Sequence, residues 1–267
     1  MTVTDPLDLQ GQIAMVTGAG QGAGKAIALK LAQHNAGAVV VNDYVLERAQ
    51  TVAEEIQQLG VDAIGVAADV GEYEAVCDNF NQAEQKLGPV TLLVNNAGNA
   101  GPNAKMGLSP LFWQTQPQDW SSFFHTNLTG VMNCCHRALP HMVDQNKGKI
   151  VTVISDAGRV GEPRLAVYAA SKAGAAGFMR SLARETGRYN ITCNSISLST
   201  LEPLLSEPEK TQFLQSEQAK SQLARYPLRR FGKPEDVANM ALFLCSDASS
   251  WITGQTYPVN GGYSVTQ

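Results

Sequence analysis

Short apolar runs alternate along this chain with longer segments whose apolar residues recur at helical spacing. Residues 13–16 form an apolar run of the kind that makes a buried strand. The run breaks into Thr17-Gly18-Ala19-Gly20-Gln21-Gly22-Ala23-Gly24, and residues 26–31 resume with helical periodicity. Residues 38–42 are β-branched and end at Asp43, residues 47–59 read as a helix stopped by Gly60, and residues 63–67 are a third strand leading to Asp69. A helix over 72–87 stops at Gly88-Pro89, and a fourth strand over 90–94 runs into Asn95-Asn96-Ala97-Gly98. Such alternation with short connections predicts a parallel sheet covered by helices on both faces.

The second half continues the pattern with longer excursions. A loop over 99–115 carries Leu108, Leu111, Phe112 and Trp113, and Pro117 opens a helix predicted to run to about Val143. Strands follow over 149–154 and 191–196, separated by a helix over 166–188. Residues 200–226 are an apolar and acidic excursion read as a substrate lid; Pro234 then starts a helix to Leu244, and 256–259 is a last strand. No linker or internal repeat divides the chain, so residues 1–267 are read as a single Rossmann-type α/β domain, a doubly wound parallel sheet of about seven strands. Thr17, Asp43, Asp69, Asn95, Ser155 and Ser197 all fall at or just past predicted strand ends, the edge at which such sheets bind ligands.

Composition narrows the function classes. At 267 residues, 44% hydrophobic and 16% charged, the chain suits one large α/β domain. A net charge of −4 attracts no polyanion, so no nucleic-acid partner is expected. Five cysteines without a CxxC pair argue against a disulfide framework or a zinc site; free thiols fit a reducing, cytoplasmic setting, and no metal is expected. The first ten residues, with two acids and a proline, do not read as a signal peptide. No run nears the roughly 18 apolar residues that cross a bilayer, so no membrane partner is expected.

The glycine turn fits two dinucleotide patterns. Gly18, Gly20 and Ala23 satisfy G-x-G-x-x-G/A, while Thr17, Gly18, Gly22 and Gly24 satisfy T-G-x-x-x-G-x-G. A helix start beyond glycines presents unpaired N–H groups to a phosphate. Asp43 lies 23 residues after Gly20, where a carboxylate accepts ribose hydroxyls and repels a 2′-phosphate. Gln21 is neutral and offers such a phosphate no partner, so both residues point to NAD over NADP. Further on, Tyr168 and Lys172 are four apart, on one helix face with Cβ atoms about 5–6 Å apart. A phenol must fall roughly 3 pKa units to act as a base at neutral pH, about 4 kcal/mol. One positive charge at ~5 Å in an effective dielectric of ~20 supplies about 3 kcal/mol.

With these companions the chain resembles the short-chain dehydrogenase/reductases, in their shorter subtype. The similar pieces are the Thr17 to Gly24 turn, Asp69, Asn95-Asn96-Ala97-Gly98, Asn127, Ser155 thirteen residues before Tyr168, Tyr168-x-x-x-Lys172, and the tail from Arg230 through Ile252-Thr-Gly-Gln to Val259-Asn-Gly-Gly. The resemblance implies an NAD-dependent oxidoreductase that interconverts a secondary alcohol and a ketone. It implies Tyr168 as general acid/base and Lys172 as the group that lowers its pKa and holds the nicotinamide ribose. Ser155 would hydrogen-bond the substrate oxygen, and Asn127 would position a water leading from Lys172. The implied cofactor contacts are Thr17, Gly18, Gly20, Gln21, Gly22, Ala23, Asp43, Asp69, Val70, Asn95, Ala97, Gly98, Tyr168, Lys172 and Leu201.

The chain departs from the family pattern after the sixth strand. Leu198-Ser199 replaces a Pro-Gly pair, and Pro203 stands where a threonine is expected; the nicotinamide amide is then left to the Leu201 backbone or to Thr200. Apolar residues in both variable loops, Leu201, Leu204, Leu205 and Phe213 among them, suggest a mostly hydrophobic pocket, and the resemblance implies a cyclic or steroid-like substrate. The stretch from Ser155 to Glu162 resembles members acting on hydroxyacyl-CoA thioesters, with Arg159 and Arg164 then available to a CoA phosphate. A 3-oxoacyl-thioester reductase and a catalytically silent nucleotide-binding regulator are the alternatives. A serine hydrolase lacks its G-x-S-x-G elbow here, and a sugar-nucleotide epimerase would normally carry a longer C-terminal domain. The small-residue run from Ala173 to Gly177 suits close helix packing, and with the resemblance implies a homodimer or homotetramer.

Overall fold

The computed structural model describes residues 5–99 and 110–265, so Leu108 lies outside the described residues. Seven strands form one sheet in the order β3-β2-β1-β4-β5-β6-β7, and every neighbouring pair is parallel. They are β1 (Ile13–Val16), β2 (Ala38–Asp43), β3 (Asp62–Ala67), β4 (Leu92–Asn95), β5 (Gly148–Ser155), β6 (Ile191–Leu198) and β7 (Thr256–Val259). The central strands are buried on both sides, which is why they read as continuous apolar runs rather than alternating ones. Pro258 is tolerated because β7 is an edge strand.

Alternate side chains of each strand enter opposite layers. Val39 and Val41 join the core under α1 (Gly22–Gln33), α2 (Leu46–Gln58) and α10 (Pro234–Cys245), while Val40 joins the core under α3 (Tyr73–Lys86), α5 (Gly130–Asp144) and α7 (Ala166–Thr186). This matches the expected doubly wound sheet covered on both faces. The remaining helices are α4 (Pro117–Phe124), α6 (Ala157–Val160), α8 (Glu207–Gln215) and α9 (Glu217–Leu223). The last two belong to the excursion after β6 and pack through Phe213 and Ala219 onto Tyr226, Phe231 and Tyr263.

Two expectations change. The helix expected to run unbroken from Pro117 is α4 and α5 joined by a π-helical turn, His125–Thr129. The wider turn inserts an extra residue per hydrogen-bonded ring and re-aims the side chains that follow, a feature common at functional sites. Ser197 is not at the strand end: β6 continues to Leu198, and the Ser197 side chain is fully buried.

Candidate active site

The order of the sheet reverses between β1 and β4, and a cleft of about 530 Å³ opens there at the carboxyl ends of the strands. The chain stitches the two strand ends together from both sides. Thr17 Oγ1 accepts the N–H groups of Asn96 (3.1 Å) and Ala97 (3.0 Å), and Asn96 Nδ2 donates to the carbonyls of Thr17 and Gly18 (both 3.0 Å). Gly18 turns with φ +61°, and a Cβ there would lie 2.8 Å from Ala97 Cα; one on Gly24 would lie 2.2 Å from the Gly18 carbonyl. Only glycine lets these backbones close up.

Beyond the turn, α1 begins with Gln21 as an N-cap that makes no side-chain capping bond. Gly22, Ala23 and Gly24 follow at the cleft wall, so the first turn of the helix offers its N–H groups to an anion. Asp43, last in β2, accepts the N–H of Gly20 at 2.9 Å and of Val45 at 3.0 Å, which fixes its carboxylate on the cleft wall. Asp69 and Val70 line the same cleft, with Asp69 accepting Gly71 N–H at 2.9 Å and His125 Nε2 lying 3.3 Å away. The Ala97 and Gly98 positions also line it.

Some expected contacts support the cleft rather than line it. The Asn95 side chain turns into the core, donating to Thr152 Oγ1 at 3.3 Å and Cys135 Sγ at 3.4 Å; its neighbour Asn96 faces the cleft. Thr17 and Gly20 act through the bonds just given. Leu201 forms a parallel bridge with Gly232 and packs on the core, while Leu204 reaches the cleft instead. The reading of the chain also missed Arg48, on α2, which lines the cleft beside Asp43, as well as Tyr44, Asn99 and Thr126. Arg48 follows Asp43 by five residues inside a helical run, and such a basic residue carries no signal of facing a site until the helix is docked.

Next to the cleft, Ser155 ends β5 and Tyr168 stands in the first turn of α7, with the Ser155 hydroxyl close enough to favour the ionised phenol. Lys172, one turn on, is buried, and its ammonium donates to the Val153 carbonyl at 3.0 Å. A Cβ on Gly98 would lie 2.9 Å from that nitrogen, so the turn after β4 seals it. Asn127, fully buried in the π turn, accepts Asn99 N–H at 3.1 Å and donates to the Asn99 carbonyl at 2.9 Å and Ser171 Oγ at 3.1 Å. Its amide therefore clamps α7 to the segment after β4. The expected role of orienting a water has only the second lone pair of Oδ1 to work with.

The protonation balance also differs from expectation. Burial raises the Tyr168 phenol, and the Ser155 hydroxyl only partly offsets it. Burial lowers Lys172 to about 8. Desolvation favours the neutral form of both groups, so the ammonium does not by itself bring the phenol toward neutrality as the charge arithmetic implied.

Two further details bear on the departures noted in the chain. Where Leu198-Ser199 replaces Pro-Gly, the Tyr226 hydroxyl sits 2.6 Å from Ser199 Oγ and accepts Thr200 N–H at 3.2 Å. The Thr200 carbonyl accepts Gly232 N–H at 3.1 Å, so both backbone groups of Thr200 are bonded within the protein. Arg159 is tied through Nη1 to Asp156 at 2.8 Å and Ser264 at 3.2 Å rather than standing free in its loop. Among the described residues no group of three His, Cys, Asp or Glu side chains could hold a metal, and no helix is long and apolar enough to cross a membrane.

Comparison with known proteins agrees with this architecture. A family model described as enoyl-(acyl carrier protein) reductase matches residues 18–264. The 3-oxoacyl-[acyl-carrier-protein] reductase FabG of Staphylococcus aureus is 38% identical over 249 residues, covering 93% of this chain and 96% of that protein. A 7α-hydroxysteroid dehydrogenase solved with NADH and 7-oxo glycochenodeoxycholic acid superposes with a TM-score of 0.86 at 34% identity, covering 98% of each chain. A gluconate 5-dehydrogenase from Burkholderia cenocepacia, solved with NADP and tartrate, superposes with a TM-score of 0.85 at 29% identity, covering 98% of this chain and 99% of that one. The chain belongs to the short-chain dehydrogenase/reductase family and is an oxidoreductase of that family.

Two outcomes follow from the buried groups. Lys172→Met removes an ammonium whose folded pKa, about 8, lies below its ordinary 10.5. Between those values the folded protein holds fewer protons than the unfolded chain, so wild-type stability rises with pH. The variant is expected to be more stable than wild type by about 3 kcal/mol at pH 7, with the gap closing toward pH 10.5, as read by urea denaturation across that range. Tyr226→Phe is expected to lose about 1–2 kcal/mol and to speed amide exchange at Thr200, measured by hydrogen exchange.

Proposed function

We propose that this protein interconverts a secondary alcohol and a ketone with NAD, using Tyr168 as general acid/base. The reading rests on one juxtaposition: the Ser155–Tyr168 pair stands beside a cleft whose far wall carries Asp43. The residues of the cleft fit a nicotinamide dinucleotide. The uncapped start of α1 suits its pyrophosphate, the Asp43 carboxylate suits the adenine ribose hydroxyls, and Asp69 and Val70 suit the adenine. With both Thr200 backbone groups bonded internally, the Leu201 backbone is the better candidate to meet the carboxamide.

When bound, the nicotinamide accepts or returns the hydride. The chain's own residues handle the oxygen and its proton. Ser155 donates to the substrate oxygen, where charge develops at hydride transfer. Tyr168 takes the alcohol proton in oxidation and returns it in reduction. Lys172 holds the nicotinamide ribose, and its depressed pKa lets it give up a proton more readily than an exposed lysine. Asn127 keeps the segment after β4 and α7 in register around it.

NAD is favoured because Asp43 stands where a 2′-phosphate would sit. Arg48 on the same wall favours NADP, as does the similarity to a gluconate 5-dehydrogenase solved with NADP. We take the substrate to be hydrophobic, cyclic or steroid-like: Leu204 and Leu205 are 65% and 43% exposed on the lid, and Phe112 is 48% exposed and stacked on Trp120 before the π turn. The 38% identity to a 3-oxoacyl-[acyl-carrier-protein] reductase favours a thioester reductase as the second reading. We also propose a homodimer or homotetramer formed through α7. Ala175 and Ala176 of its small-residue run face the core, while Ala173 lies exposed on the outer side.

The test is a panel of cyclic and steroid alcohols, hydroxyacyl-CoA thioesters and 3-oxoacyl thioesters, read by NADH or NADPH absorbance. The expected result is turnover of cyclic or steroid substrates with NAD at least tenfold better than NADP; preference for NADPH and 3-oxoacyl thioesters establishes the second reading. Tyr168→Phe is expected to lower turnover by roughly 10²–10⁴-fold. Because burial raises the phenol, oxidation should climb with pH through the neutral and alkaline range, while reduction should fall only at alkaline pH. Initial rates in both directions from pH 6 to 10.5 measure this.

A further inference from the structure

Asp156 follows Ser155 directly and is buried, yet nothing in the proposed chemistry uses it. Its carboxylate gathers donors from separate parts of the chain. Oδ1 accepts Ser197 Oγ of β6 at 2.6 Å and Arg159 Nη1 of α6 at 2.8 Å. Oδ2 accepts Asn260 Nδ2, just past β7, at 2.6 Å and Ser264 Oγ, near the C-terminus, at 2.9 Å. All four lone-pair directions of the carboxylate are met. The backbone is held as well: Asp156 N–H donates to the Leu198 carbonyl at 2.8 Å, and its own carbonyl accepts Arg159 N–H and Val160 N–H, both at 2.9 Å.

The tail that reaches Asp156 is itself braced. Asn260 Nδ2 also donates to the Ser264 carbonyl at 3.0 Å, and its Oδ1 accepts Gly262 N–H at 3.0 Å. Tyr263, between them, donates to Glu162 at 2.6 and 2.7 Å, with Arg225 above its ring at 4.7 Å. Residues 260–264 thus form a strap fastened at Asp156 and at Glu162, on either side of α6.

We infer that Asp156 is a positioning residue for the reaction: it fastens the C-terminal strap to the chain beside Ser155 and so fixes the direction of the Ser155 hydroxyl. The inference rests on the reading of Ser155 and Tyr168 as the pair that handles the substrate oxygen. A buried carboxylate is costly to keep unless every lone pair is satisfied, and a residue needed only to end β5 requires no charge. An aspartate here joins β6, α6, the end of β7 and the tail at one point, one peptide unit from the serine. Ser155 Oγ also accepts Ala157 N–H at 3.2 Å, so its orientation depends on the backbone path through Asp156. A misplacement near 1 Å at such a group is enough to cost about 10²-fold in rate.

The test uses the full-length protein, its best substrate from the panel, and the same substrate deuterated at the reacting carbon. Asp156→Asn keeps the volume but puts an N–H donor where one oxygen accepted two bonds; the serine hydroxyl on that side can turn to accept, while the Arg159 or Asn260 nitrogen is left donor against donor. It is expected to lower kcat by about tenfold or more while the KM for the dinucleotide stays within about twofold, and to raise the deuterium isotope effect as hydride transfer becomes rate-limiting. Ser264→Ala, which touches only the strap, is expected to lower kcat about threefold in the same pattern. A folded Asp156→Asn that loses thermal stability but keeps kcat and the isotope effect overturns the inference. If Asp156→Asn does not fold, Ser264→Ala decides alone, and full kcat in that variant overturns it. Wild-type turnover in Tyr168→Phe places the fault in the assignment of the reacting pair instead.

Discussion

A buried ammonium is the constraint on which the rest of the site depends. Lys172 lies within α7, shielded from water, with the Val153 carbonyl as its hydrogen-bond partner. A charge in such a place is tolerated only where the surroundings are rigid enough to hold a partner in place. The rigidity comes from three directions: β5 below, the Gly98 backbone pressed against the nitrogen, and Asn127 pinning Ser171 of the same helix. Tyr168, one turn away, feels the same dryness with the opposite sign. Groups with ordinary values of 10.0 and 10.5 are driven apart, the phenol upward and the amine down to about 8. As pH rises, Lys172 therefore yields its proton before Tyr168 does. The phenol thus holds its proton to higher pH than the amine, which suits the proposed return of a proton to a carbonyl.

The dinucleotide cleft obeys a different constraint, set by topology. β1 neighbours both β2 and β4, and the chain leaves it at the point where strand order reverses. Glycine is required there because three backbones converge, and the hydrogen bonds of Thr17 and Asn96 hold them together. Asp43 does two things at once. Its carboxylate anchors Gly20 and Val45, and the same anchoring holds it on the cleft wall. A residue that shapes the loop and also carries the proposed ribose contact is difficult to replace without disturbing both.

Much of this was legible in the chain. The β-branched runs, the glycine turn and the Tyr168/Lys172 spacing are local patterns, and each depends on residues within a turn or two of one another. The sheet and both helical layers followed from them, while the pairing of Ser155 with Tyr168 came from the family resemblance. What was not legible depends on docking. Asn95 and Asn96 are adjacent and chemically identical, yet only the pleat decides which faces the core and which the cleft. Arg48 reaches the cleft only because α2 packs at one rotation on the sheet. The π turn around Asn127 has no composition signal, and its shift of the helical register spans a single turn, too short to show in the apolar pattern. Arg159 looked like a free cation in a loop; its partner Ser264 is 105 residues away.

The lid base shows how a local rule can be replaced by distant contacts. A Pro-Gly pair after β6 would set the path of the chain through its own restricted backbone angles. Leu198-Ser199 has no such restriction, so the path must be held from outside. The Leu198 carbonyl is taken by Asp156 N–H, Ser199 and Thr200 are both held by the Tyr226 hydroxyl, and Leu201 is bridged to Gly232. Tyr226 in turn packs edge-on to Phe231 and against Tyr263 of the C-terminal strap. The segment after β6 is thereby tied to residues 226–263. Here the contacts themselves hold the chain, so packing at Tyr226 and Tyr263 sets the path from Leu198 to Leu201 alongside Ser155.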